Sequence, residues 1–158
     1  MVKTNAMRLL ERAKIPYRTA EYEVDETDLS GVHAADLLGV DPGRVFKTLV
    51  ARGEKQGILV FVIPASEELD LKKCALAAKD KKIELVSVRE LPALTGYVRG
   101  GCSPIGMKKK YPVFIDAGCF RYEEIYVSAG QRGHQIVITP KDLVDFTEAK
   151  TFEQVKNS

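Results

Sequence analysis

Val45-Phe46-Lys47-Thr48-Leu49-Val50 is the stretch whose reading decides the fold. Side chains alternate across a strand, so Val45, Lys47 and Leu49 share one face and Phe46, Thr48 and Val50 the other. Both faces carry large apolar groups, which predicts a strand covered on both sides. A lysine in the middle of such a strand is out of place, because removing an ammonium ion from water costs several kcal/mol, on the order of the penalty for a buried ion. Two readings follow. Lys47 is an edge-strand residue that snorkels to solvent along its methylenes, or it opens into a cleft and meets an anion there.

Outward from this strand, Arg52 to Gly57 is a polar connector and Ile58 to Ile63 a second apolar run, so residues 45–63 predict an antiparallel hairpin. Upstream, Thr4 or Asn5 caps a first helix with Met7, Leu10 and Ala13 on one face, and Pro16 ends it. Tyr17 to Tyr22 reads as a strand and Val24 to Leu29 as an acidic loop. Ser30 caps a helix over Val32 to Leu38 that stops at Gly39, and Asp41-Pro42-Gly43-Arg44 is a turn. Downstream, Asp70 caps an amphipathic helix from Leu71 to about Lys81. Glu84 to Val86 is a short strand, and Val88 to Leu94 a helical turn ending near Thr95-Gly96. Pro112 to Asp116, Glu124 to Val127 and Gln135 to Thr139 are predicted strands. Pro140 opens a helix over Lys141 to Phe146, and structural propensity fades after Phe152. Strands occur in groups with helices between them, which disfavours a doubly wound parallel sheet.

The 158 residues suit one domain, with neither a repeat nor a linker. The formal charge of +2 is too small to hold nucleic acid by electrostatics alone. Cys74, Cys102 and Cys119 are odd in number and widely spaced, which fits free thiols in a reducing compartment. His33 and His134 stand apart, so no metal site is expected. No apolar run is long enough to span a bilayer, and the N-terminal stretch lacks a signal-peptide core. A cytoplasmic protein is the expectation. Neither G-x-G-x-x-G nor G-x-x-x-x-G-K-[ST] occurs, so no nucleotide cofactor is expected.

Two loops could carry chemistry. Gly100-Gly101-Cys102-Ser103-Pro104-Ile105-Gly106 can bring backbone N–H groups close to a ligand, and such donors stabilise an oxyanion by roughly 3–4 kcal/mol each. The alternative is a tight structural turn. Cys102 and Ser103 invite a nucleophile reading, but neither lies in a Gly-x-Ser-x-Gly elbow and neither has an acid or histidine beside it. Lys108-Lys109-Lys110 follows at once, either as a solvated face or as a contact to phosphate. Arg132, in the second loop, Ser128 to Gly133, could act in the same way. Tyr22 is a core or cleft-rim aromatic, or a platform for a base.

VFKTLV, YVRGGCSPIGMKKKYP and YVSAGQRGHQI, in that order, resemble the YbaK/EbsC family of free-standing Cys-tRNA(Pro) deacylases, which is related to the editing domain of bacterial prolyl-tRNA synthetases. The resemblance spans essentially the whole chain. It implies an α+β fold, a mixed barrel-like β-sheet flanked by helices, forming one editing domain over residues 1–158. It implies cleavage of the ester between a wrong amino acid and the terminal ribose of tRNA, with no cofactor. Lys47 falls on the family's essential lysine, and Gly100, Gly101, Cys102, Ser103 and Pro104 on its G-x-x-x-P substrate loop. Tyr22, Thr48 and Ser128 fall near its pocket. An acidic residue common soon after the second loop is replaced here by Gln135.

The sequence offers no evident protein nucleophile or general base. That matches the route the resemblance implies, in which the cysteinyl thiol attacks its own ester and forms a thiolactone. The resemblance also implies aminoacyl-tRNA as partner, with prolyl-tRNA synthetase in a ternary complex. A competing expectation from a different class is a protein of this fold that binds aminoacyl-tRNA, or regulates, without catalysis.

Overall fold

The computed structural model describes residues 2–154. Thr4 begins helix α1 (Asn5–Arg12) as its oxygen accepts from the Met7 amide, and Ala6, Met7 and Leu10 form its buried face. Strand β1 is Arg18–Glu21. Helix α2 (Gly31–Leu38) is capped by Ser30 and closed by Gly39 in the left-handed region at φ 72°, a conformation glycine adopts without steric cost. The predicted turn is a 3-10 turn over Pro42–Arg44. It feeds β2 (Phe46–Gly53), which pairs antiparallel with β3 (Gly57–Pro64) over its whole length.

Helix α3 (Leu71–Ala78) begins at Asp70 as expected. It stops short of Lys81 because Lys79 turns left-handed at φ 56°. The Asp80 carboxylate then leaves the helix direction and accepts from the Lys55 and Gln56 amides at 3.1 and 2.8 Å. Strand β4 (Ile83–Leu85), helix α4 (Leu91–Thr95), strands β5 (Val113–Asp116), β6 (Ile125–Ser128) and β7 (His134–Ile138), and helix α5 (Pro140–Thr147) follow. Two elements lie outside the sequence reading. One is a 3-10 turn over Ala117–Arg121. The other is β8 (Lys150–Phe152), which pairs parallel with β5.

The strands form two sheets, of order β4-β2-β3-β5-β8 and β1-β7-β6. They do not close into the barrel-like sheet the resemblance implied; an isolated parallel bridge between Val45 and Tyr126 joins them. Alternation along the strands builds the layers. Val60 and Val62 of β3, Phe46 of β2 and Val113 and Ile115 of β5 enter a core shared with β6, β7, α1 and α5. Leu59, Phe61 and Ile63 point the other way, to Phe114, Phe152 and α3. The small sheet is covered through Val137 and Tyr126 by Ala35 of α2.

Regular secondary structure ends at Phe152 among the described residues, and beyond it only Glu153 and Gln154 are described. Gln154 is fully buried. Its side chain accepts from the Asp70 amide and donates to the Glu68 carbonyl, both at 2.6 Å. Its own amide donates to Asp116 at 2.9 Å. A buried polar residue is tolerated because its groups are paired. Gln154→Ala leaves the Glu68 and Asp70 backbone groups without those partners, at a cost of about 2 kcal/mol. The expected result is a melting temperature lower by about 4–8 °C in thermal circular dichroism. No shift would mean that this latch contributes nothing.

Candidate active site

A cavity of about 350 Å³ opens where the two sheets meet. The hairpin strand supplies one wall, from Val45 through Val50, and places Lys47 and Thr48 in it. The small sheet supplies Ser128 and Gln135, which are direct cross-strand partners and so project from the same face. Tyr22, just beyond β1, lines the cavity and is seated by its amide donating to the Gly133 carbonyl at 3.0 Å. Ser30 and Gly31 bring in the start of α2, and Arg99, Gly100 and Cys102 the glycine loop. Leu85, Val86, Val88 and Leu91 form an apolar rim.

Lys47 is half-buried and has neither a hydrogen bond nor an ion pair among the described residues. Burial pushes its pKa below the ordinary lysine value, opposed by the fields of Glu68 and Glu67. It is therefore a partly desolvated cation held next to open space. Two further groups wait for partners there. Thr48 Oγ1 and Gln135 Oε1 are buried and have no hydrogen-bond partner among the described residues. Such orphans are rare, because a buried polar atom left unpaired costs about 1–3 kcal/mol.

The two glycine loops pack on each other, backbone to backbone. Gly100 sits at φ 84°, where a side chain is strained. A Cβ on Gly101 would lie 3.3 Å from the Arg132 amide nitrogen, and one on Gly130 2.8 Å from the Tyr97 ring. Arg132 clamps the pair: its Nε donates to the Arg99 carbonyl at 2.8 Å, and its guanidinium lies 3.8 Å from Glu26. Neither the Gly100 nor the Cys102 amide has an acceptor among the described residues.

Six of the residues singled out in the sequence thus line the cavity: Lys47, Tyr22, Thr48, Gly100, Cys102 and Ser128. Gly101, Ser103, Pro104 and Arg132 do not line it. Gly101 is buried under the second loop. Ser103 is fully buried and accepts from the Ile105 amide at 3.2 Å, holding the turn. Pro104 faces a different cavity. Burial pushes the Cys102 thiol up to about 12, opposed by Thr95, which disfavours the nucleophilic thiolate at neutral pH.

Sequence reasoning missed Ser30, Gly31 and the apolar rim. Gly31 left a signal: glycine is a poor helix former, yet it opens α2 because a Cβ there would meet the Ala65 Cβ at 2.6 Å.

A mixed two-sheet fold with an unpaired lysine and a glycine loop lining one cavity defines a site of small-molecule size. The chain belongs to the aminoacyl-tRNA editing domain family, which matches residues 29–146. It is 48% identical to the Enterococcus faecalis (strain ATCC 700802 / V583) protein named "Putative Cys-tRNA(Pro)/Cys-tRNA(Cys) deacylase EbsC", over 96% of this chain and 92% of that one. A proline–tRNA ligase of Kosmotoga olearia is 30% identical over 52% of this chain and 14% of its own length. Among solved structures, one described as "a putative trans-editing enzyme for prolyl tRNA synthetase" superposes with a TM-score of 0.84 at 25% identity, covering 99% of this chain and all of that one. Among the described residues no helix is long and apolar enough to cross a membrane, and no group of three or more His, Cys, Asp or Glu could hold a metal.

Proposed function

We propose that this chain deacylates mischarged aminoacyl-tRNA, with Cys-tRNA(Pro) as its substrate, and that prolyl-tRNA synthetase presents the tRNA. The observation that carries this reading is Lys47, an unpaired and partly desolvated cation in a cavity sized for a terminal aminoacyl-nucleoside. Lys47 holds the negative end of the substrate, either phosphate or ribose oxygen. The free Gly100 and Cys102 amides receive the ester carbonyl oxygen as charge develops on it. Thr48 Oγ1 and Gln135 Oε1 take up donors of the acyl group or ribose. Glutamine is neutral, so this acceptor brings no charge of its own.

The reacting group comes from the substrate. The cysteinyl sulfur attacks its own carbonyl carbon, the bond from that carbon to the ribose oxygen breaks, and the thiol proton ends on the ribose oxygen. The products are a four-membered thiolactone and free tRNA. Positioning supplies the acceleration, since an aligned intramolecular reaction needs little from protein acids or bases.

The test is deacylation of Cys-tRNA(Pro) beside Ser-tRNA(Pro), with a trap for thiolactone. The expected result is at least about a hundredfold preference for the cysteinyl ester, the loss seen when one transition-state interaction is missing, and trapped thiolactone as first product. Equal rates, with free amino acid appearing directly, would show attack by water. The same assay with prolyl-tRNA synthetase added is expected to favour tRNA(Pro) over tRNA(Cys). A strong preference by the protein alone would remove the need for that partner. Binding of Cys-tRNA without any cleavage would mark a sequestering protein.

A further inference from the structure

The glycine loop does not end at the candidate site. Its second half, from Pro104 to Tyr111, forms a wall of another cavity, of about 260 Å³. Phe146 at the end of α5 and Val113 at the start of β5 complete its apolar part. The Tyr111 and Phe146 rings are half-buried, so both keep some surface for a ligand. The Tyr111 hydroxyl is already used, donating to the Leu94 carbonyl at 2.8 Å.

The mouth of this cavity is basic. Lys109 and Lys110 line it. Lys110 is taken by an ion pair with Glu148, whereas Lys109 is exposed and unpaired among the described residues. Arg132, the other cation considered for the nucleic acid, is occupied by Arg99 and Glu26. An aromatic floor beside a free cation suits a planar ring that carries an anion, which is the chemistry of a nucleotide.

The two cavities are neighbours. The glycine loop joins them: Cys102 lines the candidate site and Pro104, two residues on, lines the second cavity. Two residues of chain span at most roughly 7 Å. A single strand whose last nucleoside lies at Lys47 therefore has its preceding nucleotides within reach of Lys109.

We propose that the second cavity is a nucleotide subsite for the single-stranded acceptor end of the tRNA. One base lies against Tyr111 and Phe146, and its phosphate meets Lys109. Stacking on aromatic faces tolerates any base and a phosphate contact carries no sequence information, so the subsite adds affinity without reading tRNA identity. The proposal rests on the deacylase reading for its choice of ligand, but its test is binding.

The test uses the trinucleotide CCA, titrated into the full chain and followed by the NMR signals of the Met107 methyl and the Phe146 ring. Both signals are expected to shift with CCA and to stay in place with adenosine 5′-monophosphate, which is short enough to occupy the Lys47 cavity alone. Lys109→Glu, an exposed substitution, is expected to weaken CCA binding about tenfold. It should also reduce the slope of log affinity against log salt by about 0.7, the value for one single-strand phosphate. Silent Met107 and Phe146 signals, or an unchanged slope in Lys109→Glu, would overturn the subsite. If CCA binds as expected but Cys-tRNA is not cleaved, the deacylase reading fails and the subsite stands. If Cys-tRNA is cleaved but these signals do not shift, the subsite fails and the deacylase reading stands.

Discussion

Lys47→Ala is expected to reduce kcat/KM for Cys-tRNA(Pro) by about 10²–10³-fold, the cost of removing one preorganised electrostatic contact, with unchanged circular dichroism. Arg99, the other basic residue lining the cavity, is exposed, whereas Lys47 is half-buried and partly stripped of water. Lys47→Arg is not expected to restore activity, because a planar fork places its charge and donors differently from a compact ammonium. Lys47→Met separates site from scaffold. Folding partly strips the lysine of water and lowers its pKa, so the cation works against the folded state. For a base with a depressed folded-state pKa, this cost is fully present below that folded-state value. It is lost as pH rises through the folded-state value toward the ordinary 10.5. The methionine variant should therefore melt no lower than the parent at pH 7, and any advantage should shrink at alkaline pH. Near-normal turnover by Lys47→Ala would sink the assignment of this residue.

Gly100→Ala and Gly101→Ala are expected to lose more activity than Cys102→Ala or Ser103→Ala, by at least about tenfold, because a loop displaced by an ångström costs on the order of 10² in rate. The reason differs between the two glycines. Gly100 holds φ 84° and lines the cavity, so alanine there strains the backbone, by roughly 1–2 kcal/mol. Gly101 lies under the second loop, where a Cβ would stand 3.3 Å from one backbone nitrogen and 3.5 Å from the Gln131 carbonyl carbon. The nearer contact is to backbone and not to a flexible side-chain end, so the second loop must give by a few tenths of an ångström, shifting the free amides. Cys102, with its thiol pushed up to about 12 by burial, is poorly suited to act as a nucleophile. A dead Cys102→Ala beside active glycine variants would make this a cysteine-nucleophile enzyme. Steady-state deacylation of the four variants decides it.

The apolar alternation of residues 45–63 was enough to predict the central hairpin, since period-two patterning specifies which side chains face which layer. Capping residues placed most helix starts. Thr4, Ser30 and Asp70 all cap helices through side chains that accept from backbone amides one turn on, a local chemistry that tertiary context seldom overrides. The misplacement of Lys47 in an apolar strand was also legible, but the strand alone left a snorkelling edge residue and a cleft-facing cation both open; the cavity beside it favours the second.

Other features were decided only in three dimensions. β5 lies parallel to β3 and to β8, and partners so far apart in sequence leave no local signal. β8 and Gln154 owe their order to Asp116, Glu68 and Asp70, which are distant in the chain. The glycine loop read as a ligand cradle, but packing divided its tasks: Gly100 and Cys102 face the candidate site, Gly101 and Arg132 bind loop to loop, and Pro104 turns to a second cavity. A one-dimensional pattern states which residue types can approach a backbone. Which backbone they approach depends on the two sheets meeting at Val45 and Tyr126, and that junction is a property of the packed core rather than of any single stretch.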